Sequence, residues 1–260
     1  MPAIVGLVGS PRREQGLTHR LVSAALEGAR RSGASTRIEY LADWELAPCE
    51  DCGAPCFTDG ICIRSPDPGE LSSLVNEADG LVLGAPVYVW QANALTHVFM
   101  DRYRIPGRAS LARQPNGRPA LAIAVAGGTG TGISGAIRSL QDFLCLWGYR
   151  ALDPIGATRY NLEQAIAAAR EAGAELGRQA DEPVPFANLA ELLAHYDGLQ
   201  FACHDHLEEL IWLAEQAAGL GREPEEVKRL CAEARRLQAA DRRAAAEVAV
   251  HAFELARGEL

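Results

Sequence analysis

Cysteine is concentrated in one short stretch of the chain. Four of the seven cysteines lie between residues 49 and 62, at Cys49, Cys52, Cys56 and Cys62. Four thiolates in a compact loop form the ligand set that a [4Fe–4S] cluster requires. Structural zinc more often uses two separated Cys-x2-Cys pairs, and only the first two cysteines have that spacing here. The spacing leaves three interpretations open: an iron–sulfur cluster, free thiols or a zinc ion.

A second stretch, Gly9-Ser-Pro-Arg12, follows a short apolar run and leads into a helical pattern. The first turn of a helix carries unpaired N–H groups and the positive end of a dipole, which together favour an anion. Ser10 and Thr18 offer hydroxyl donors, and Gly16 permits a close backbone approach. The loop lacks both the dinucleotide fingerprint and the lysine of nucleoside-triphosphate loops. It predicts a phosphate-monoester site, with an ordinary capped turn as the alternative.

Two further loops have the composition to border a planar ligand. Pro86-Val-Tyr88-Val-Trp90 combines two aromatic rings with extended backbone after the third apolar run. Gly127-Gly-Thr-Gly-Thr-Gly132 follows the fourth run and could cover the same ligand from its other side, although a glycine run alone is a weak indicator. The alternative for the two aromatic residues is hydrophobic cover of the sheet edge.

The elements that must position these loops alternate between strand and helix. Strands are predicted near residues 3–8, 36–41, 80–84, 120–126 and 150–156, with helical patterns between them. This alternation predicts an α/β protein with a doubly wound, five-stranded parallel sheet covered by helices on both faces. Right-handed crossovers then bring the loops after the first, third and fourth strands to one crevice at the carboxyl edge.

The composition changes after residue 180. We expect residues 1–180 to form the sheet domain and residues 181–260 to form a helical extension used for packing or oligomerisation. Asp205-His-Leu-Glu208 has the form of a capping box, and Pro224 opens a pattern that predicts one helix to about Arg257. The apolar stripe of so long a helix needs a partner surface, either on the sheet domain or on another subunit.

Three other cysteines lie outside the clustered stretch. Cys203-His204-Asp205-His206 has the composition of a metal site, but Asp205 is better explained as a helix cap. Cys145 and Cys231 lie on apolar helix faces, which predicts that they are small core residues.

The formal net charge of −9 over 260 residues argues against a nucleic-acid or anionic-membrane partner, because the long-range field repels polyanions. No apolar run approaches the roughly 20 residues that span a bilayer. The first residues lack the basic flank of a signal peptide. We therefore expect a cytoplasmic protein, in which the cysteines are thiols, metal ligands or redox groups.

Taken together, the motifs resemble a known family. Gly9-Ser-Pro-Arg12, Pro48-Cys49-x-x-Cys52 and Gly84-Ala-Pro-Val-Tyr88, followed by Asp101-Arg102, are similar to the NADPH-dependent FMN reductases, and within them to the iron–sulfur flavoproteins. The resemblance covers about residues 3–178. It implies the flavodoxin-like strand order 2-1-3-4-5, with FMN at the switch point between strands one and three.

The resemblance also implies the binding residues. The FMN phosphate would be held by Ser10, Arg12, Gln15, Gly16 and Thr18. The isoalloxazine ring would be bordered by Pro86, Val87, Tyr88 and Trp90, and on its other side by Gly127, Gly128 and Thr129. A [4Fe–4S] cluster would be held by Cys49, Cys52, Cys56 and Cys62. The sequence departs from the family pattern at Gly16-Leu-Thr18, where Gly-Asn-Thr is usual, and in the three residues between Cys52 and Cys56, where two are typical.

The activity implied is that of an FMN-dependent NAD(P)H oxidoreductase, in which a hydride passes from NAD(P)H to FMN and electrons continue to a small-molecule or protein acceptor. Direct hydride transfer needs no side-chain acid, so we predict no catalytic residue. Two alternatives remain: an iron–sulfur flavoprotein served by a ferredoxin-like partner, and a non-catalytic assembly module. In each case we expect a homo-oligomer.

Overall fold

A computed structural model of the chain describes residues 1–52, 56, 62, 69–104, 117–201, 203–219 and 224–258. The strands are β1 (Ala3–Val8), β2 (Ser35–Tyr40), β3 (Gly80–Tyr88), β4 (Gln91–Ala92), β5 (Pro119–Val125), β6 (Arg150–Ala151) and β7 (Ile155–Ala157). The helices are α1 (Leu17–Arg31), α2 (Gly69–Glu77), α3 (Ala94–Arg102), α4 (Ile133–Leu146), α5 (Leu162–Asp181), α6 (Leu189–Asp197), α7 (His206–Ala218), α8 (Pro224–Leu237) and α9 (Arg242–Arg257).

The sheet has the order β2-β1-β3-β5-β6, and each neighbouring pair in that path is parallel. β1 therefore lies inside the sheet, with β2 on one side and β3 on the other. From β1 the chain first adds β2 on one side of the sheet and then adds β3 and the later strands on the other side. β1 and β3 therefore border the switch point of a flavodoxin-like order. This arrangement confirms the predicted α/β class and the order of the principal strands.

The strand count differs from the prediction, because the described residues form seven strands rather than five. The expected fifth strand at residues 150–156 is divided into β6 and β7, and both pair with β5 at different positions along it. Pro154 lies in the gap between them and has no N–H to donate to the ladder. The remaining strand, β4, has two residues and pairs antiparallel with the end of β3.

Both faces of the sheet are covered, as its continuous apolar strands require. On one face Ile4 and Val8 of β1 pack in a cluster with residues of α1 and α5. On the other face Val5 and Leu7 belong to a cluster that includes residues of α3, α4 and α7–α9. Every residue of β5 is buried. Among the described residues, no helix has the length and apolar content needed to cross a membrane.

The prediction of one helix from Pro224 to about Arg257 is wrong. The structure has two helices there, α8 and α9, and the second begins after Asp241, whose side chain accepts a hydrogen bond from the Ala244 backbone N–H at 3.0 Å. The acidic residue that interrupts the apolar stripe is thus a helix N-cap. α7, α8 and α9 contribute buried residues to the same core cluster as the sheet.

Candidate functional site

The loop after β1 presents an open helix N-terminus. Ser10 is buried and its Oγ accepts a hydrogen bond from the Arg12 backbone N–H at 3.2 Å. α1 begins after Gly16, which has an extended backbone and no side chain to cap the helix, and the first turn of α1 contains no acidic residue. Thr18 is buried in that turn. The first N–H groups of α1 can therefore bind an external anion.

The arginines of this loop have different environments. The Arg13 guanidinium donates to the backbone oxygen of Ala42 at 2.8 Å and forms an ion pair with Asp43, which fixes the loop to the turn after β2. Arg13 also has a φ of 48°, in the left-handed region that side chains rarely adopt. Arg12 and Gln15 are exposed. Two of the predicted phosphate ligands, Arg12 and Gln15, therefore lie on the solvent side of the loop.

Two buried residues that the sequence interpretation missed connect this loop to α3. The Asn93 side-chain amide donates to the Gly9 backbone oxygen at 2.9 Å, and the Thr96 hydroxyl donates to Asn93 Oδ1 at 2.6 Å. The contact is tight, since a Cβ added at Gly9 would lie 2.0 Å from Thr96 Oγ1. The available signal was the position of Asn93 at the start of the helical pattern after the third apolar run, where a cap residue is common.

The segment after β3 is a tight hairpin that presents aromatic side chains. Tyr88 pairs with Gln91 across a two-residue turn, and both turn residues have positive φ, 49° at Val89 and 61° at Trp90. Such turns normally use Asn-Gly or a similar pair. A β-branched residue at positive φ is an outlier, and such outliers cluster at functional sites. The rings of Tyr88 and Trp90 are about half exposed, at 49% and 52%.

The glycine-rich loop after β5 lies against this hairpin. A Cβ added at Gly132 would lie 2.6 Å from Trp90 Cα, and one added at Gly135 would lie 2.3 Å from the Trp90 backbone oxygen. In contrast, a Cβ added at Gly127 or Gly128 would meet nothing within 4 Å. The loop therefore packs on the hairpin at one end and leaves an open backbone at the other, where Thr129 is also exposed.

Helix α7 contacts both of these loops, which the sequence interpretation did not foresee. The ring of His206 lies 4.8 Å from the ring of Trp90, measured between centroids. Glu209 is buried, and its carboxylate accepts hydrogen bonds from the backbone N–H groups of Gly132 and Ser134. The C-terminal extension thus contributes side chains to the surroundings of the candidate site.

The four clustered cysteines lie around a common small space. Cys49, Cys52, Cys56 and Cys62 are not in disulfides, and together with Arg102 and Arg104 they line a void of about 20 Å³. The buried Arg102 donates from Nη2 to Cys62 Sγ at 3.1 Å and from Nη1 to the Ala47 backbone oxygen at 3.1 Å. Within the described residues, no three His, Cys, Asp or Glu side chains are arranged to hold one metal ion.

The types of donor present, but not their spacing in this structure, match those of an iron–sulfur cluster. Four thiol-bearing residues border one space, and a charged N–H donor already contacts one sulfur. Hydrogen bonds to the sulfurs are one of the features that set cluster potentials. The void itself has room for about one water molecule, so a cluster would bind only with outward displacement of the cysteine side chains.

Two of the other cysteines, Cys203 and Cys231, are buried in the core, whereas Cys145, also predicted to be a core residue, is not. Burial raises the pKa of Cys231 to about 11, and burial also raises the pKa of Cys203 far above the usual thiol range. Cys145 is half-buried, with a pKa raised by burial and by Asp142. Asp205 caps α7 by accepting from the backbone N–H groups of Leu207 and Glu208, as predicted.

A separate cavity of about 930 Å³ lies at the opposite end of the sheet. It is bordered by the beginnings of β1 and β2 and by α2, through residues that include Ala3, Ser35, Glu70 and Arg104. Ligands of open α/β sheets bind outside the carboxyl ends of the strands. The candidate site is therefore the carboxyl-edge arrangement of three loops rather than this larger space.

Comparisons with known proteins agree with this geometry. Residues 2–154 match the family described as NADPH-dependent FMN reductase. An iron–sulfur flavoprotein of Methanosarcina thermophila is 31% identical over 145 residues, which cover 56% of this chain and 74% of that protein. An iron–sulfur flavoprotein of Methanocaldococcus jannaschii is 35% identical over 143 residues, covering 55% of this chain and 72% of that protein.

Among solved structures, an NAD(P)H:quinone oxidoreductase from Methanothermobacter marburgensis superposes with a TM-score of 0.53 at 18% identity. The superposition covers 67% of this chain and 96% of that one. This likeness shows the shared flavodoxin-like fold. The family match covers more than half of the chain and includes the loops after β1, β3 and β5. The chain therefore belongs to the NADPH-dependent FMN reductase family.

Proposed function

We propose that this protein is an FMN-dependent NAD(P)H oxidoreductase. The observation that carries the proposal is the position of the open α1 N-terminus beside the β1–β3 switch point, on the same sheet edge as the aromatic hairpin and the open glycine backbone. An anion site next to a surface that suits a planar ring matches the two halves of a flavin mononucleotide.

Each half of the site has its own binding groups. The hydroxyls of Ser10 and Thr18, with the first N–H groups of α1, would hold the phosphate, and Arg12 would add a positive charge from the solvent side. Tyr88 and Trp90 would border the ring, and the absence of Cβ atoms at Gly127 and Gly128 would let its other side approach the backbone. Pro86 and Val87 would fix the hairpin base beneath it.

Bound FMN supplies the hydride-accepting chemistry, and the protein supplies binding, orientation and control of access. In this proposal no side chain transfers a proton during hydride transfer. The half-exposed rings of Tyr88 and Trp90 lie at the solvent boundary, where a nicotinamide and then an electron acceptor would approach. The acceptor is proposed to be a small molecule or a redox protein.

A second candidate function, electron transfer through an iron–sulfur cluster, is favoured by the Arg102–Cys62 contact. A buried arginine that donates to a cysteine sulfur is suited to a negatively charged thiolate cluster. Cys49, Cys52, Cys56 and Cys62 would hold this group, which would supply one-electron transfer. The two relatives named as iron–sulfur flavoproteins support this candidate.

Flavin titration tests the first function. The protein is freed of flavin, titrated with FMN, and assayed anaerobically for oxidation of NADH and of NADPH. We expect stoichiometric flavin absorbance and oxidation of at least one nicotinamide. Thr18→Val should weaken FMN binding because it removes a buried hydroxyl, while Ser73→Ala, at an exposed position of α2, serves as the control. Absence of FMN binding would reject the proposal.

Metal analysis tests the second function. Protein prepared without oxygen is analysed for iron, acid-labile sulfide and zinc. A cluster would give about four irons and four sulfides per chain. Stoichiometric zinc, or neither metal, would reject the cluster and leave the flavin proposal unaffected.

A further inference from the structure

One face of α7 contacts both loops of the proposed ring site. His206, Glu209 and Leu213 are spaced three and four residues apart, so they lie on the same side of the helix. His206 contacts the ring of Trp90 in the hairpin, and Glu209 bonds the end of the glycine-rich loop. A Cβ added at Gly130 in that loop would lie 2.9 Å from Leu213 Cδ2.

Glu209 makes the strongest of these contacts. Its side chain is buried at 3% exposure. One carboxylate oxygen accepts from the Gly132 backbone N–H; the other accepts from the Ser134 backbone N–H at 2.8 Å and from the Ser134 hydroxyl at 2.5 Å. Residues 132 and 134 are separated from Glu209 by 77 and 75 positions, so this contact joins the extension to the sheet domain.

The carboxylate takes the place of a local helix cap. The residue before α4 is Gly132, which has a φ of 95° and no side chain with which to cap the helix. Uncapped N–H groups at a helix start are costly when buried, and a negative charge there is stabilising. Glu209 supplies this charge from α7, and in doing so it fixes the point at which the glycine-rich loop ends.

The loop that Glu209 fixes is the one with the open glycine backbone. Gly127 and Gly128 are five and four residues before Gly132, and the Gly127 backbone oxygen accepts from the Gly130 N–H at 2.9 Å. Gly132 also lies against Trp90. The position of its backbone therefore sets the separation between the glycine backbone and the aromatic hairpin.

We propose that Glu209 is a positioning residue for the ring-binding half of the FMN site, and that the C-terminal extension thereby completes that site. This inference rests on the proposed function. The phosphate-binding half is held by other contacts, from Asn93 to Gly9 and from Arg13 to Asp43 and Ala42. A change at Glu209 should therefore affect recognition of the ring and leave recognition of the phosphate intact.

The experiment compares two flavins on the full-length protein. FMN carries ring and phosphate, whereas riboflavin carries the same ring without the phosphate. The affinity for each flavin is measured by fluorescence titration in wild type, Glu209→Gln and Glu215→Gln. For the same three proteins, the visible spectrum of bound FMN and the melting temperature of the flavin-free protein are also recorded. Glu215 is the matched control, because it lies on α7 and is paired with Arg235 at the surface.

We expect Glu209→Gln to weaken both flavins by a similar factor of about tenfold, the effect of losing one charge-assisted hydrogen bond. The vibronic bands of bound FMN should also change, because the ring contacts different surroundings. Glu215→Gln should match wild type in all these measurements. Ser134→Ala, which removes only the hydroxyl donor, should show the same two-flavin pattern with a smaller loss, and it replaces Glu209→Gln if that variant does not fold.

If the variants bind both flavins as tightly as wild type does, the inference is overturned, whatever their melting temperatures. Glu209 would then be only a structural helix cap. Weakened FMN binding with unchanged riboflavin binding would overturn it as well, since the effect would then lie in the phosphate half. Wild-type protein that binds FMN but not riboflavin would show that no separable ring-binding half exists. If wild-type protein binds neither flavin, the proposed function itself fails.

Discussion

The side-chain amide of Asn93 and the backbone oxygen of Gly9 are hydrogen-bonded at 2.9 Å, and both lie at the carboxyl edge of the sheet. Their contact joins the loop after β1 to the start of α3, directly after the aromatic hairpin. The two halves of the proposed flavin site are therefore joined by one buried hydrogen-bond network, which includes the Thr96 hydroxyl.

Asn93→Ala should lower the free energy of unfolding by about 1–3 kcal/mol, because the Gly9 oxygen and the Thr96 hydroxyl lose a buried partner. It should also weaken FMN binding, since both loops become less well fixed. Denaturant unfolding and flavin titration measure the two effects. Asn188→Ala is the control: it removes an exposed cap of α6 at a cost of roughly 0.5–2 kcal/mol and should leave FMN affinity unchanged. Equal FMN affinities in Asn93→Ala and wild type would contradict the prediction.

Arg102 provides a test of the cysteine site that does not depend on turnover. Replacing Arg102 with Ala removes a positive charge and an N–H donor from the Cys62 sulfur. If a cluster is bound, its reduction potential should fall, because a nearby positive charge favours the more negative reduced state and Arg102→Ala removes that charge. Arg102→Lys keeps the charge but loses the planar fork that also contacts the Ala47 oxygen, and it should give an intermediate potential.

Redox titration followed by electron paramagnetic resonance measures these potentials. The control is Arg138→Gln, an exposed arginine that donates to the His204 backbone oxygen. An unchanged potential in Arg102→Ala would show that the contact does not act on the cluster.

Features of this fold that depend on neighbouring residues were predictable from the sequence, and contacts between distant residues were not. The buried strands, the loop after β1 and the Asp205 cap were predictable because apolar periodicity, glycine and cap residues act over a few positions. Pro154 and Asp241, which divide a predicted strand and a predicted helix, also act locally: proline has no N–H for the ladder, and Asp241 caps a helix. Glu209 was not predictable in this way, because its role depends on backbone groups more than seventy residues away.

The same distinction applies to the candidate site. Ser10, Thr18, Tyr88 and the Gly127 loop lie at or shortly after strand ends, so topology alone brought them to one edge. Asn93 resembled an ordinary helix cap in the sequence, and its link to Gly9 depends on how the start of α3 lies against the loop after β1. Buried polar contacts across elements are set by tertiary packing, which periodicity does not describe.

The buried thiol of Cys231 predicts a pH dependence of stability. Its pKa is raised from 9.0 in the unfolded reference to about 11, chiefly by burial and also by Glu215, while Arg235 opposes the shift. Below pH 9 the thiol is neutral in both states and the full stability is present. Between about pH 9 and pH 11 the unfolded chain ionises first, so the free energy of unfolding falls.

Denaturant unfolding at pH 8 and pH 10 measures this loss. Cys231→Ala should be less stable than wild type at pH 8, because it leaves a small cavity, but should lose less stability between the two pH values. Val227→Ala, which also leaves a cavity beside α8 but removes no titratable group, should keep the wild-type dependence on pH. An identical loss in wild type and Cys231→Ala would contradict the assignment.

The strained turn of the aromatic hairpin predicts a substitution that increases the free energy of unfolding. Val89 is 96% exposed, so its side chain contributes little packing, yet its φ of 49° carries the steric cost of a left-handed conformation. Glycine adopts this conformation without that cost but loses more backbone entropy on folding. Val89→Gly should therefore raise the free energy of unfolding by about 0.5–1 kcal/mol.

Thermal and denaturant unfolding of Val89→Gly measure the gain. Val250→Gly provides the contrast, since Val250 is a partly exposed residue within α9, where glycine should destabilise by about 0.5–1 kcal/mol. A loss of stability in Val89→Gly would mean that contacts of the valine side chain stabilise the turn by more than its left-handed backbone costs. A gain in stability accompanied by weaker FMN binding would instead show that the rigid turn helps to hold Tyr88 and Trp90 in place for the ring.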